Sequence, residues 1–472
     1  MVSQNLSNIA WAYAALGVRH EPFIEALASQ AISNISATSE RDLAAIAWSL
    51  ATLGMPNAPF LEALSAELKR HLHEFASRTL ANSAWAFATL GYGDVPFLHA
   101  IANAVLQKIA ATSDSCLSDN ELEDFITNLK ALAWALNFSG ALADDLDVQI
   151  YDALVRLAKM RDAYLMARIA RRPPLPPPSM PSGQVFAEQS ADPDKPPFIL
   201  TDLPELCVVH KPPGWEVDCA DVGSGILLSS FLQNRYSAHQ APLVHFEEYQ
   251  FGMVHRLDRV SSGLLLIGKT FVGFHLLNWQ LNTGRLEREY VVLVHGWVSP
   301  SLRVIDANIL HVHAEGYKES QVTQQGKPSQ TQLTTIGHYV LRGHEEEKLS
   351  LVVIQIRTGR RHQIRTHLCH VAHPAVTDGK YMPREQFIRD KQWCERNFLH
   401  RYRLGFRDCS GHQHEAIAPL PEDLRAALWH LVPAGPQSAT ALEEWAGTDQ
   451  QAKPVLPRAW RAYDGLSAED VE

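Results

Sequence analysis

At 472 residues the chain exceeds the ~250–300 residues at which a single hydrophobic core stops growing, so at least two domains are expected. A hydrophobic fraction of 46% with 20% charged residues excludes a mainly disordered, collagen-like or coiled-coil protein, and no run of ~18 uncharged apolar residues is present to span a membrane. The formal charge of −10, if spread evenly, argues against a simple nucleic-acid binder, because phosphate contacts need Lys and Arg.

The opening residues, MVSQNLSNIAWAYAALG, lack a basic n-region and the Arg/Ser richness of an organellar presequence. No targeting signal is legible, although a chain begun at an internal Met would read the same. Self-similarity starts at once. LSNIAWAYAALGVRHEPFIEAL (6–27), LAAIAWSLATLGMPNAPFLEAL (43–64) and LANSAWAFATLGYGDVPFLHAI (80–101) recur every 37 residues, holding Trp11, Trp48 and Trp85, Gly17, Gly54 and Gly91, and Pro22, Pro59 and Pro96 at that spacing. Leu6, Ala10, Trp11 and Ala14 fall at helical spacing and predict one apolar face. The glycine reads as a helix stop and the proline as the start of a second helix. Each unit is therefore a helix pair that must stack on its neighbours to bury its face. LKALAWALNFSG (129–140), with Trp134, is a fourth, divergent copy after an acidic insertion at 111–124.

These repeats resemble the octotricopeptide class of helical-hairpin repeats over about the first 140 residues, LANSAWAFATLG (80–91) being the closest copy. The resemblance implies an α-solenoid whose concave face often binds RNA. A protein-interaction or merely structural solenoid is the competing reading, and 12 Lys and Arg against 18 Asp and Glu in residues 1–171 work against phosphate binding. RRPPLPPPSMPSGQVFAEQSADPDKPP (171–197) follows as an extended, Pro-rich spacer rather than a partner's ligand.

From 198 the pattern changes to short β-rich runs: FILTDLPELCVVHKPPGWEV (198–217), GLLLIGKT (263–270), REYVVLVHGWV (288–298) and KLSLVVIQIRTG (348–359). Leu349, Leu351 and Val353 alternate with Ser350, Val352 and Ile354, so both sides are largely apolar, as in a sheet covered on two faces. An α+β domain over 198–432 is expected. It is near neutral, with 25 Lys and Arg against 24 Asp and Glu, so the acidity lies in the flanking segments. The residues from Pro433 on read as an acidic, irregular tail with one short helical stretch at 439–447.

Four polar clusters interrupt the strands. His255-Arg256-Leu257-Asp258-Arg259-Val260-Ser261-Ser262-Gly263 sets an aspartate among cations that favour its ionised form, available as nucleophile or base; a salt-bridged turn explains the same residues. Arg288-Glu289-Tyr290 opens a strand, where Tyr290 is by default a packing residue. The run from Arg357 to His367, with Arg360, Arg361, His362, Gln363 and Arg365 around Gly359, suits phosphate and sugar contacts or a solvated basic face. His373-Pro374-Ala375-Val376-Thr377-Asp378-Gly379-Lys380-Tyr381 lies near His367, Cys369 and His370, but the spacing does not support a metal site. The six cysteines (116, 207, 219, 369, 394 and 409) form no CxxC, so neither a disulfide framework nor a zinc ribbon is expected and a reducing compartment fits.

In this order MVHRLDRVSSGLLLIGKT (253–270), REYVVLVHG (288–296), TGRRHQIRTHLCHVAHPAVTDGKY (358–381), FLHRYRLGF (398–406) and APLPEDLRAAL (418–428) resemble the RluA-type pseudouridine synthases. The resemblance covers about 200–430 and begins with ELCVVHKPPGW (205–215). It implies isomerisation of uridine in RNA without cofactor or metal. Asp258 then falls on the family's catalytic aspartate, Tyr290 on the tyrosine against the target base, Arg365 on the arginine paired with the aspartate, and Arg256 on the residue that helps displace the base. Arg360, Arg361, His362 and Gln363 are the implied RNA contacts. Extrusion of a base costs a few kcal/mol, which stacking and hydrogen bonds in the pocket must offset. Ser261 stands where the family usually has Thr, and no S4-like domain precedes the block. An RNA-binding or assembly factor that keeps the fold without turnover, and a repeat-based protein-interaction scaffold, are the alternative readings. The RNA, the uridine and the compartment, organelle or cytoplasm, stay open.

Overall fold

The structure, a computed structural model, describes residues 3–92, 95–112, 117–171, 196–217, 226–314, 317–447, 457–463 and 465–466. Residues 172–195 of the expected spacer lie outside them. The chain forms two compact units, Met1–Arg171 with His275–Arg285, and Arg172–Phe274 with Leu286–Glu472.

In the first unit the described residues hold eight helices before the Pro-rich segment: α1 (Ser3–Leu16), α2 (Glu21–Ser33), α3 (Glu40–Leu53), α4 (Ala58–His71), α5 (Ser77–Thr89), α6 (Val95–Ala111), α7 (Asp119–Phe138) and α8 (Asp144–Arg171). Odd helices pack on odd and even on even, giving two layers of stacked hairpins. Gly17, Gly54, Gly91 and Gly140 follow α1, α3, α5 and α7 with φ between 62° and 68°, the left-handed conformation that glycine adopts without a Cβ penalty. Pro22 and Pro59 sit in the first turns of α2 and α4, where a missing N–H costs no helical bond. α7 begins with a capping box between Ser118 and Glu121. The predicted face needs one correction. Leu6, Ala10 and Ala14 are buried, but Trp11 is 56% exposed, because at 100° per residue the fifth position after Leu6 is rotated to the edge of the apolar stripe. Trp48 instead stacks on Trp85 at 6.5 Å between ring centroids, and Trp134 meets Trp85 at a tilt at 6.1 Å.

The second unit is built on a mixed, mainly antiparallel sheet of ten strands. They are β1 (Phe198–Asp202), β2 (Leu206–Lys211), β5 (Ser262–Gly268), β6 (Glu287–His295), β7 (Val304–Asp306), β10 (Gln330–Leu341), β11 (His344–Ile356), β12 (Leu399–Arg407), β13 (Gln413–Ile417) and β14 (Leu431–Pro433). The order is β1-β2-β5-β12-β6-β11-β10-β14, with β13 beside β12 and β7 beside β10. Two small sheets pair β3 (Trp215–Glu216) with β4 (Ile226–Leu227) and β8 (Ile309–Ala314) with β9 (Tyr317–Val322). The helices are α9 (Leu228–Arg235), α10 (Phe271–Asn282), whose second half belongs to the first unit, α11 (Gln363–His370), α12 (Arg384–Asp390), α13 (Glu422–Leu428) and α14 (Pro436–Ala446).

Both faces of the sheet are covered, as the two-sided apolar strands predict. Tyr290, Val292, Val352 and Ile354 enter one core with Leu228, Leu265, Ile364 and Leu368. Their neighbours Val291, Leu293, Leu351 and Val353 enter the opposite core with Phe398, Tyr402, Leu424 and Trp445. The residues after Pro433, expected as an irregular tail, are in their described part folded onto this second face: Trp445 and Tyr463 are buried there, and the Trp460 N–H donates to Glu289 at 2.7 Å. Among the described residues no helix is long and apolar enough to cross a membrane.

Candidate active site

The segment Met253–Ser261 leads into β5, and two buried cations hold its backbone at Arg256 and Arg259. Glycine makes the first possible. Gly263 (φ 128°) lies so close to β12 that a Cβ would fall 2.3 Å from the Arg401 carbonyl oxygen, so β5 and β12 can run in parallel, Ser262 opposite His400 and Gly263 opposite Arg401. Arg401, 2% exposed, then donates to the carbonyls of Leu264 (3.0 Å) and Arg256 (3.1 Å) and to the Tyr290 hydroxyl (2.9 Å). Its guanidinium carbon stands 4.9 Å from the Tyr290 ring centre, a cation–π arrangement.

Lys211, at the end of β2, supplies the second anchor. Its fully buried ammonium donates to the carbonyls of Pro212 (2.9 Å), Trp215 (3.0 Å) and Arg259 (3.4 Å), and the Gly214 N–H donates to the same Arg259 carbonyl at 2.8 Å. Burial pushes its pKa down to about 7. The turn Lys211-Pro212-Pro213-Gly214 thus clasps the backbone next to Asp258.

Asp258, its side chain 16% exposed, receives Arg365 Nη1 on Oδ2 at 2.6 Å, with His362 Nε2 3.8 Å from the same oxygen. Burial opposes the charge of Asp258, but Arg365, His362 and Arg256 together hold its carboxyl below the usual carboxylate range. Burial lowers His362 to about 4 in spite of Asp258, so near neutral pH the imidazole is uncharged. Its Nδ1 shares a hydrogen bond with the Tyr381 hydroxyl (2.8 Å), which also accepts the Ser320 N–H of β9 (3.1 Å).

Arg365 lies in the first turn of α11, between two carboxylates. Its Nε and Nη2 donate to Oδ2 and Oδ1 of Asp378 at 2.7 and 2.6 Å, leaving Nη1 for Asp258. Burial works against its charge, yet Asp378 and then Asp258 raise its pKa above the ordinary arginine value. Beside it, Gln363 is buried and its amide is spent inside the fold: Oε1 accepts from Thr358 and the Arg360 N–H, while Nε2 donates to the Gln330 carbonyl and Thr331. Arg360 reaches the Pro328 carbonyl at 3.2 Å, Arg361 is half-buried and Arg256 is exposed.

The structure therefore brings Asp258, His362 and Arg365 together. Tyr290 is linked to the Asp258 loop through Arg401, which donates to its hydroxyl and to the Arg256 carbonyl, and Gln363 faces inward. His367 engages Thr331 and the Ala307 carbonyl through its two ring nitrogens, and His373 meets the His295 carbonyl. Among the described residues no group of three His, Cys, Asp or Glu is placed to hold a metal ion. Asp378, Arg401 and Lys211 lie within the sequence motifs, but the resemblance implies no role for them. A signal for one was present: Arg401 interrupts a strand whose Leu399, Tyr402, Leu404 and Phe406 are buried, and a charge in such a place requires partners.

The family model described as RNA pseudouridylate synthase matches residues 205–370. A ribosomal large subunit pseudouridine synthase C of Buchnera aphidicola is 31% identical over 226 residues, covering 47% of this chain and 67% of the relative. An uncharacterized RNA pseudouridine synthase of Bacillus subtilis, YlyB, is 32% identical over 232 residues, 48% of this chain and 70% of its own length. Among solved structures, human RNA pseudouridylate synthase domain containing 1 is similar at a TM-score of 0.40 and 24% identity, covering 54% of this chain and 91% of that one.

Proposed function

Because the chain belongs to the RNA pseudouridylate synthase family, and is thus an RNA-directed isomerase, we propose that it converts uridine to pseudouridine through Asp258. The observation that carries this reading is the half-buried Asp258 carboxylate 2.6 Å from Arg365, kept ionised by surrounding cations at a site where the neighbouring backbone is held on both sides. The reaction breaks the C1′–N1 bond of the uridine and forms C1′–C5; C5 gives up its proton to solvent while N1 takes one up, so the composition is unchanged. No oxidation is involved, so a carboxylate that acts on the ribose and a pocket that holds the detached uracil meet its chemical needs.

In this reading Arg365 orients Asp258. The Tyr290 hydroxyl is engaged by Arg401, so the tyrosine contributes to the base through its ring rather than its hydroxyl. The exposed Arg256 helps to displace the target base from its helix, and Arg360 and Arg361 meet phosphates. Gln363, spent on the strands beside it, supports these residues from behind. His362, neutral near pH 7, offers an imidazole at the edge of the site. The helical repeats select or retain the RNA, or a protein partner. The relatives named for the large ribosomal subunit make its RNA the first substrate to test.

Pseudouridine mapping in large-subunit ribosomal RNA incubated with the full chain tests the assignment. Wild type is expected to create a discrete site, and Asp258→Asn to lose it while keeping RNA binding within about threefold and an unchanged circular dichroism spectrum. Wild-type turnover by Asp258→Asn would sink the proposal; binding without turnover by the wild type would favour an assembly factor.

A further inference from the structure

The arginine beside Asp258 is shared between two carboxylates, and the sharing is unequal. Asp378, whose side chain is 0% exposed, takes two donors of Arg365 in a fork, whereas Asp258 receives one, on Oδ2 only. Among the described residues nothing bonds to Oδ1 of Asp258. A guanidinium facing a single carboxylate closes a two-point fork and covers both oxygens. Here that fork is turned toward Asp378, and one oxygen of Asp258 is left open.

The backbone around Asp378 is built for this purpose. Thr377, immediately before it, is buried at φ 56°, a left-handed conformation that a β-branched residue adopts only when its surroundings enforce it. Three bonds do so: the Thr377 N–H donates to Asp390 Oδ2 (2.9 Å), its hydroxyl donates to the Cys394 carbonyl (2.9 Å), and Asp390 is itself paired with His295 (2.8 Å). On the far side, Oδ1 of Asp378 accepts the N–H groups of Lys380 and Tyr381 at 3.1 and 3.3 Å. His362, which leads into the helix carrying Arg365, is also left-handed at φ 54°. Strain on both sides of one ion pair marks a geometry maintained at a cost.

We propose that Asp378 is a positioning residue for the isomerisation: by occupying two donors of Arg365 it confines the guanidinium to a one-point contact with Asp258 and keeps the second oxygen of Asp258 free for the bound uridine. This rests on the assignment of Asp258 as the reacting carboxylate. The same arrangement moderates the field on Asp258. The charged or titratable groups that face it are Arg365 and His362 from α11 and its start, Arg256 from its own loop, Lys211 from β2 and Lys380 from the loop after Asp378, with the Asp378 charge behind Arg365. Removing that charge leaves the cations less balanced and favours ionised Asp258 further.

The test follows tritium release from a 5-tritiated ribosomal RNA transcript carrying the mapped site, with full-length Asp378→Asn, Asp378→Glu and Asp258→Asn. Asp378→Asn keeps the shape but turns an amide donor toward Arg365; it is expected to lower kcat about 100-fold, as a misplaced group can, with KM within about threefold, and to move the acid limb of kcat to lower pH. Asp378→Glu keeps the charge but not the reach, so kcat should fall while the acid limb stays in place. Wild-type kcat in either variant, or a lowered kcat with an unmoved limb in Asp378→Asn, overturns the proposal. If Asp378→Asn does not fold, Asp378→Glu decides alone, and failure of both to fold makes Asp378 a folding residue and overturns it as well. Turnover by Asp258→Asn would instead refute the underlying assignment.

Discussion

Arg401 shows how a single buried charge can organise a site from behind. Its donors satisfy two loop carbonyls and the Tyr290 hydroxyl, acceptors that would otherwise be desolvated without partners. Arg401→Met fills a similar volume but leaves all three unpaired, at a cost of ~1–3 kcal/mol for each group that water cannot reach. We expect a loss of about 3 kcal/mol or more in urea unfolding, and a change below about 1 kcal/mol would show that Arg401 does not hold the loop. The carboxylate itself has a defined pH response. Asp258 is lowered in the folded chain, so its ionised form persists through the neutral range and down past the usual aspartate value of ~3.9. Wild-type kcat should therefore show no limb from Asp258 between about pH 5 and 8; a carboxylate-like limb in that window, absent from RNA binding, would contradict this.

At the scale of elements, β6 presents the site on one face and a buttress on the other. Tyr290 points into the core beneath the loop, while its neighbour Glu289 points to the opposite face, where Arg403, the Tyr402 hydroxyl and the Trp460 N–H meet its carboxylate. Burial raises the Glu289 pKa in spite of these partners. The described residues after Pro433 are thus part of the enzyme's second core rather than an appendage. Trp445 of α14 packs edge-on against Tyr402 at 5.1 Å between ring centres and is 4% exposed. Trp445→Ala should cost about 3–5 kcal/mol through lost burial and the cavity left behind. A chain whose unfolding midpoint is unchanged by that substitution would restore the reading of a dispensable tail. Acidity and a single short helical stretch had concealed this packing, because strand pairing and helix docking leave no trace in composition.

For the molecule as a whole, the distribution of charge matters more than its sum. The −10 belongs to the segments flanking residues 198–432, and the near-neutral block sets Arg365, Arg256, Lys211 and Lys380 around Asp258. That block also carries buried and partly buried histidines. Burial lowers His210 and His362 to about 4 and places His255 and His400 well below the ordinary histidine value. The unfolded chain takes up these protons near pH ~6.5 and the folded one does not, so their contribution to stability is present above that pH and lost as pH falls toward 4. The slope can reach about 1.4 kcal/mol per pH unit for each histidine. The urea midpoint should accordingly drop between pH 7 and pH 5, and a flat midpoint would mean that these side chains are solvated.

The sequence by itself determined the 37-residue repeat, the glycine stops and proline starts of its helices, the two-faced strands, and the aspartate flanked by cations. Such features are local, written in spacings of a few residues that helices and strands translate directly into faces and turns. Only the tertiary structure decided which cation meets which carboxylate. Asp258 and Arg365 are 107 positions apart and Tyr290 and Arg401 111, and each pair depends on strand register, on Gly263 admitting β12, and on the strained turn at Thr377. The burial that made Gln363 internal and gave Asp378 its hold on Arg365 comes from the same long-range packing. Charges interact through space and through the dielectric around them, and both are properties of the folded chain.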